Sequence, residues 1–235
     1  MRRAEALKDT LRSGYTQNGR PESVAAHTWR LCLMAVLLQD RFPEVDGLRL
    51  IKMCLIHDLG EAIHGDIPAP EQSGTGDKAT QERRDFQALI APLPAHQQNE
   101  FMTLWDEYEA AASPEAQLAK GLDKLETLLQ HTQGDNPPDF DYRFNLEYGR
   151  AYTDAHPLLA EIRAALDAET ERRAEGGGSA GCILEANASF RRRRRSFRVA
   201  LPVPKAFGTS SPATGILFPA LHTKSLSSLE PCNCA

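Results

Sequence analysis

The chain has 235 residues, 41% of them hydrophobic and 25% charged, with a formal net charge of −5, enough for one sizeable core but not for two full domains. No apolar run reaches the roughly 18 residues of a membrane span, and the N-terminus Met-Arg-Arg-Ala-Glu-Ala-Leu-Lys lacks the apolar stretch of a secretory leader, so a cytoplasmic protein without membrane contact is expected. Residues 1–175 carry 19 basic and 30 acidic side chains while 176–235 carry 8 and 2, so the acidic body excludes a broad duplex-binding surface and no stable nucleic-acid partner is expected for it.

Apolar periodicity predicts helices over 3–12, 22–41, 47–62, 77–91, 95–111, 114–131 and 156–174, with prolines at the joints and no strand series. The fold class is therefore all-α, a helical bundle occupying 1–175. On the second helix Val24, His27, Leu31, Met34 and Leu38 share the apolar face. On the third, Leu50, Cys54, His57 and Glu61 form one stripe, and Ile51, Leu55, Asp58 and Ala62 form the stripe beside it. Cys32 and Cys54 sit on apolar faces and read as reduced core residues. Ser113-Pro114-Glu115 opens a helix whose seam is Leu118, Leu122, Leu125 and Leu129, with Asp123 at its flank. The segment 134–145 reads as a long loop that either covers a site or packs its aromatics on the bundle.

From Gly176 the periodicity stops, and residues 176–235 read as a low-complexity basic tail expected to be disordered. Within it Arg191 to Arg195 suits either an anionic partner or a plain solvated tail, and Cys232 and Cys234 form only a weak metal-binding pattern.

The pair His57-Asp58 concentrates the chemistry. An isolated His-Asp at a helix end usually faces solvent or bonds to itself. Here both residues continue an apolar face, and a carboxylate carried toward a core must be paired, protonated or bound to a cation. His27 lies on the apolar face of a second helix, and Asp123 flanks the apolar seam of a third. Two imidazoles and two carboxylates suit a divalent first-row metal such as Mn, Fe, Co, Ni or Zn better than a thiolate site does. No Cys-x-x-Cys pair occurs in the first 175 residues, which disfavours a structural zinc module.

A His, then a His-Asp pair, then a distant Asp on separate helices resembles the HD-domain metal-dependent phosphohydrolases. Arg20 to Arg30 (Arg-Pro-Glu-Ser-Val-Ala-Ala-His-Thr-Trp-Arg), Ile56 to Ile67 (Ile-His-Asp-Leu-Gly-Glu-Ala-Ile-His-Gly-Asp-Ile) and Leu122 to Glu126 (Leu-Asp-Lys-Leu-Glu) look like the three blocks of its 5'-deoxynucleotidase branch. Leu-Trp-Asp-Glu-Tyr-Glu at 104–109 adds to the resemblance, which covers about residues 8 to 172. It implies an HD-domain helical bundle in which His27, His57, Asp58 and Asp123 bind the principal divalent ion, with Mn, Co or Mg favoured. Glu61 and Asp66 are implied as catalytic or second-metal groups, and Ile67 as a ligand through its carbonyl. Arg12 and Arg20 are implied as the phosphate-contacting arginines. Bacterial members carry a Trp directly after the first of these, where this chain has Ser13, with Tyr15 close by.

The residues also carry part of this independently. Glu61 lies one turn beyond His57-Asp58, within reach of a metal-bound water, and Asp66 is set by a turn before Pro68 and Pro70. His64 is a tempting proton donor, though an exposed histidine is the ordinary outcome there. The expected activity is hydrolysis of deoxyribonucleoside 5'-monophosphates by metal-activated water. Another small nucleotide or phosphate ester, and a non-catalytic metal-binding module, remain alternatives. The expected partner is a small nucleotide, and a homodimer is left open.

Overall fold

Most helix starts in this chain are written locally. The side chains of Ser23, Asp46, Ser113 and Asp141, and Nδ1 of His156, accept hydrogen bonds from amides two or three residues on, and Pro114 and Pro157 occupy first helical positions. The computed structural model describes residues 2–67 and 75–176. A 3-10 turn (Arg2–Lys8) leads into a hairpin of β1 (Leu11–Tyr15) and β2 (Pro21–Ser23). The helices follow: α1 (Val24–Leu38), α2 (Gly47–Ile56), α3 (Glu61–His64), α4 (Thr75–Ile90), α5 (Ala95–Ala110), α6 (Pro114–Gln133), α7 (Tyr142–Glu147), α8 (Arg150–Thr153) and α9 (Pro157–Ala174). None of the described helices is long and apolar enough to cross a membrane.

The axis of the bundle is α6, which packs against α1, α2, α5, α8, α9 and β1. Leu118, Leu122 and Leu125 form its buried seam as expected, but Leu128 rather than Leu129 completes it. Around them close Leu31, Leu50, Met53, Phe86, Leu104, Trp105 and Leu159. At roughly 25 cal/mol per Å² of apolar surface, this burial is the main favourable term of the fold, about 2 kcal/mol per large side chain.

Three sequence expectations are corrected. The helix predicted over 3–12 is only a 3-10 turn, and the chain then extends into the hairpin. The Asn18-Gly19 pair turns it, with Gly19 at φ 69° and its amide donating to the Thr16 carbonyl at 3.0 Å. The helix predicted over 47–62 stops at Ile56. Residues 57–63 then bond in an i to i+3 pattern, Leu59 to Ile56 and Glu61 to Asp58, so the pitch tightens before α3. Gly60 permits this turn to lie against α4, since a Cβ there would stand 3.1 Å from the Glu82 carbonyl oxygen. The loop predicted over 134–145 is shorter, because Asp141 caps α7. Its aromatics pack rather than cover: Phe140 lies against His131 and Tyr142, at 4.8 and 4.9 Å between ring centroids.

The expected tail 176–235, apart from Gly176, and Pro68 and Pro70 lie outside the described residues.

Arg163 is the largest fully buried side chain among the described residues. It donates to the carbonyls of Asn145, Leu146 and Tyr148, to Thr153 Oγ1, and to Asp167 at 2.6 Å, tying α7 and α8 to α9. Replacing it strands several buried acceptors. Arg163→Met should lower the unfolding free energy by about 3 kcal/mol, measured by urea titration.

Candidate metal centre and active site

Helices α1 and α6 and the turn after α2 bring four side chains together, with ligand atoms of His27, His57 and Asp123 within 4.8 Å of one another and Asp58 Oδ2 against both imidazoles. His27 comes from the first turn of α1, His57 and Asp58 from the tight turn after α2, and Asp123 from the middle of α6. Nε2 of His27 is 3.2 Å from Asp123 Oδ1 and 3.8 Å from Asp58 Oδ2. Nε2 of His57 is 3.0 Å from Asp58 Oδ2 and 3.8 Å from Asp123 Oδ1. Bonds of about 2.1 Å to one ion put neighbouring ligand atoms roughly 3.0 to 3.5 Å apart, so this spacing fits a shared divalent cation.

The hydrogen bonding fits it too. Both Nε2 atoms are buried and have no hydrogen-bond partner. Each ring is oriented from its far side. Nδ1 of His57 is 2.9 Å from the Cys54 carbonyl oxygen, which can only accept, and Nδ1 of His27 meets Glu126 Oε2 directly. Both imidazoles therefore aim a lone pair inward when neutral.

The carboxylates are held charged. Burial alone would raise the pKa of Asp58, but the His57 imidazole, Arg12 and His27 overcome it and leave the group well below the usual carboxylate range. Burial works the same way at Asp123 and is overcome by Lys124, 2.9 Å from Oδ2, together with His27 and His57. Tyr108 donates to that same oxygen at 3.3 Å, leaving Oδ1 to face the histidines. At His27, burial and Arg12 disfavour the imidazolium, yet Glu126 and Asp123 outweigh them and raise its pKa to about 9.

Glu61 stands apart. Its Oε2 is buried without a partner, and burial followed by the charges of Asp58 and Asp66 pushes its pKa to about 10. A divalent cation beside it would reverse that balance.

Arg12, on β1, reaches across to donate to Asp58 Oδ2 at 3.3 Å and to Thr127 Oγ1 at 3.1 Å. Burial works against its charge, but Asp58, Asp123, Asp66 and Glu126 raise its pKa well beyond the ordinary arginine value. Asp66 follows Gly65, whose φ of 86° turns the chain, and its charge is felt by both Arg12 and Glu61. Ile67 is half-exposed just beyond.

Arg20 is not drawn into the cluster. It stands exposed at the hairpin turn and bonds through its backbone to Thr16. Glu22, two residues on, faces Arg12 and Arg30 rather than Arg20. His64 is exposed and meets Asp85 of α4 at 2.6 Å.

Sequence reasoning left Tyr108, Lys124, Glu126, Thr127 and Arg30 without roles. A signal for two of these, Glu126 and Thr127, was available: Asp123, Glu126, Thr127 and Gln130 recur at i, i+3, i+4 and i+7 as a polar stripe on an otherwise apolar helix.

The model of the HD domain family matches residues 4–163. The chain belongs to the HD domain family. This HD domain protein is 31% identical over 179 residues to a Bos taurus protein named 5'-deoxynucleotidase HDDC2, covering 75% of its own length and 86% of the relative. It is 30% identical to the Dictyostelium discoideum protein of the same name, over 71% of its length and 93% of the other. Among solved structures, a "Predicted metal-dependent phosphohydrolase" from Magnetospirillum magnetotacticum MS-1 superposes with a TM-score of 0.65 at 31% identity. That match covers 72% of this chain and 88% of the other.

Behind the site, His131 gives a pH handle on the HD domain protein. Burial first, then Arg12, lower its pKa to about 4 against the hydrogen bond to Asn145. The unfolded chain thus binds a proton between pH 6.5 and 4 that the folded chain refuses. Stability should be full above pH 6.5 and fall by up to about 3 kcal/mol as pH drops through 4. Denaturant midpoints measured across that window should fall less steeply in His131→Gln.

Proposed function

We propose that this HD domain protein is a divalent-metal-dependent phosphohydrolase that releases phosphate from deoxyribonucleoside 5'-monophosphates. The observation that carries the reading is the convergence of two unpartnered imidazole nitrogens with two carboxylate oxygens. The names of the relatives support the substrate class.

In this reading His27, His57, Asp58 and Asp123 hold the ion, with Mn, Co or Mg as the candidates. The bound cation supplies a water of lowered pKa and withdraws charge from the phosphoryl oxygens. Arg12, held beside the site by Asp58 and Thr127, receives phosphate oxygens with the N–H groups of its planar fork that these two do not occupy. Glu61 orients the attacking water and takes its proton, a role suited to a buried carboxylate oxygen without another partner. Asp66, with Ile67 through its carbonyl, assists at the same rim, and Arg20 contacts the substrate from the hairpin turn. The departing 5'-oxygen would be neutralised, as its bond to phosphorus breaks, by the ion or by a proton, for which the one that Glu61 takes from the water is a source. The domain 1–175 suffices for this chemistry, acting on a free nucleotide in the cytoplasm.

The test is a panel of ribo- and deoxyribonucleotides with Mn- or Co-loaded protein. Phosphate release from deoxynucleoside monophosphates should fall below detection in Asp58→Ala and after chelation. It should drop by about 100-fold in Arg12→Met and persist in a chain cut after residue 176. A metal-replete chain inactive across the panel would overturn the enzyme reading. Equal turnover of both sugars would overturn only the deoxyribose preference.

We also propose a homodimer. Trp29, Leu33, Val36 and Leu37 recur on the face of α1 opposite the core, and Leu48 and Leu55 are exposed on α2, which packs beside it. A two-helix apolar face of this kind exceeds the scattered single residues of a monomer surface and suits a two-fold contact with its own copy. Sedimentation should give twice the chain mass, and Leu37→Glu should return it to the monomer.

A further inference from the structure

The far side of His27 is built as carefully as the side that faces the site. The ring is fully buried between α1 and α6, and its Nδ1 contacts Glu126 Oε2. A carboxylate accepts, so Nδ1 carries the proton and the lone pair is left at Nε2. Glu126 is itself wholly buried, and its second oxygen accepts from Arg30 Nε at 2.6 Å. Arg30 stands one turn after His27 on α1 and is fixed in turn. It donates to Gln130 Oε1 at 2.5 Å and to Gln133 Oε1 at 3.2 Å, one and two turns beyond Glu126 on α6.

His57 has no such support. Its Nδ1 meets only a backbone carbonyl, that of Cys54. The two imidazoles are therefore oriented by unlike partners, one by a peptide group and one by a charged, guanidinium-locked carboxylate.

Glu22 lies beside this arrangement, and ligand atoms of Glu22, His27 and Glu126 fall within 4.8 Å of one another, a spacing that by itself resembles a second cation site. Two observations oppose an ion there. Nδ1 of His27 and Glu126 are in direct contact, so the space between them holds a proton and nothing larger. Two guanidinium groups already stand against the cluster, Arg12 at 3.8 Å and Arg30 at 3.9 Å from the Glu22 oxygens.

Resting on the metal reading above, we infer that Glu126, locked by Arg30, is a positioning residue that fixes the His27 ring and tautomer for ion binding, and that the Glu22–His27–Glu126 cluster is a brace rather than a second ion site. A hydrogen-bonded carboxylate behind a metal-binding histidine typically accounts for a 10- to 100-fold difference in affinity. The same ladder also joins α1 to α6, so a purely structural role must be separated from a positioning one.

Calorimetric titration of MnCl2 into the metal-free full-length chain makes that separation, combined with melting temperatures and ¹⁵N spectra of labelled histidines. In wild type His27 should show the Nδ1-protonated form when the ion is bound. Glu126→Gln should weaken ion binding 10- to 100-fold and broaden or shift the His27 resonances. Arg30→Met leaves the carboxylate in place without its lock and should weaken binding by a smaller factor. It also keeps the test open should Glu126→Gln fail to fold.

Variants that melt at lower temperature but bind the ion within twofold of wild type would show a merely structural ladder and overturn the inference. Loss of one of two bound equivalents in Glu126→Gln, with the other unchanged, would identify a second ion site and overturn the brace. A wild-type chain that takes up no ion would instead overturn the metal reading itself, and this inference with it.

Discussion

The structure is organised around two carboxylates buried in the middle of one helix. Asp123 and Glu126 lie one turn apart on α6, at 4% and 0% exposure, on the segment that forms the axis of the bundle. An unpaired buried carboxylate costs several kcal/mol, so every element packed against that stretch must present a positive or donating group to it. His27 Nδ1 and Arg30 do so for Glu126 from α1, and Tyr108 from α5 and Lys124 from α6 itself do so for one oxygen of Asp123. The hydrophobic seam holds the helices together, but this polar requirement sets how α1 lies along α6.

The consequence is division of labour along one helix face. At Asp123 one oxygen is occupied by Lys124 and Tyr108, and the other faces two imidazole nitrogens that have no partner. At Glu126 both oxygens are consumed by His27 and Arg30. The first carboxylate is therefore left incomplete toward the site, whereas the second is complete and stabilises its neighbour. Burial keeps the dielectric low and makes both halves consequential, since satisfied groups rigidify and incomplete ones bind.

The hairpin extends the same logic. It is a small sheet in a helical protein, yet it carries Arg12 into the acidic cluster, where Asp58 and Thr127 hold it. Gln130, one turn past Glu126, reaches the Tyr15 carbonyl on the same strand. Gly134 completes the fit, because a Cβ there would overlap that carbonyl oxygen at 2.1 Å. Strand and site are thus positioned by the same helix.

The sequence by itself determined the helical class and most helix positions, and it marked His27, His57, Asp58 and Asp123 as one candidate set, whereas Arg12 as a phosphate candidate came only with the family resemblance. These were legible because apolar periodicity records burial directly, and because polar residues on an apolar stripe have few explanations. The polar stripe at 123, 126, 127 and 130 was visible too, but not its partners. Only the tertiary structure decided that Glu126 meets the far side of His27 while Asp123 faces the two unpartnered imidazole nitrogens, that Arg12 enters the cluster and Arg20 stays at the turn, and that His57 and Asp58 sit on a tight turn rather than mid-helix. Those outcomes depend on contacts between residues as much as 115 positions apart and on backbone approaches such as that of Gly60 to α4, which no local pattern encodes.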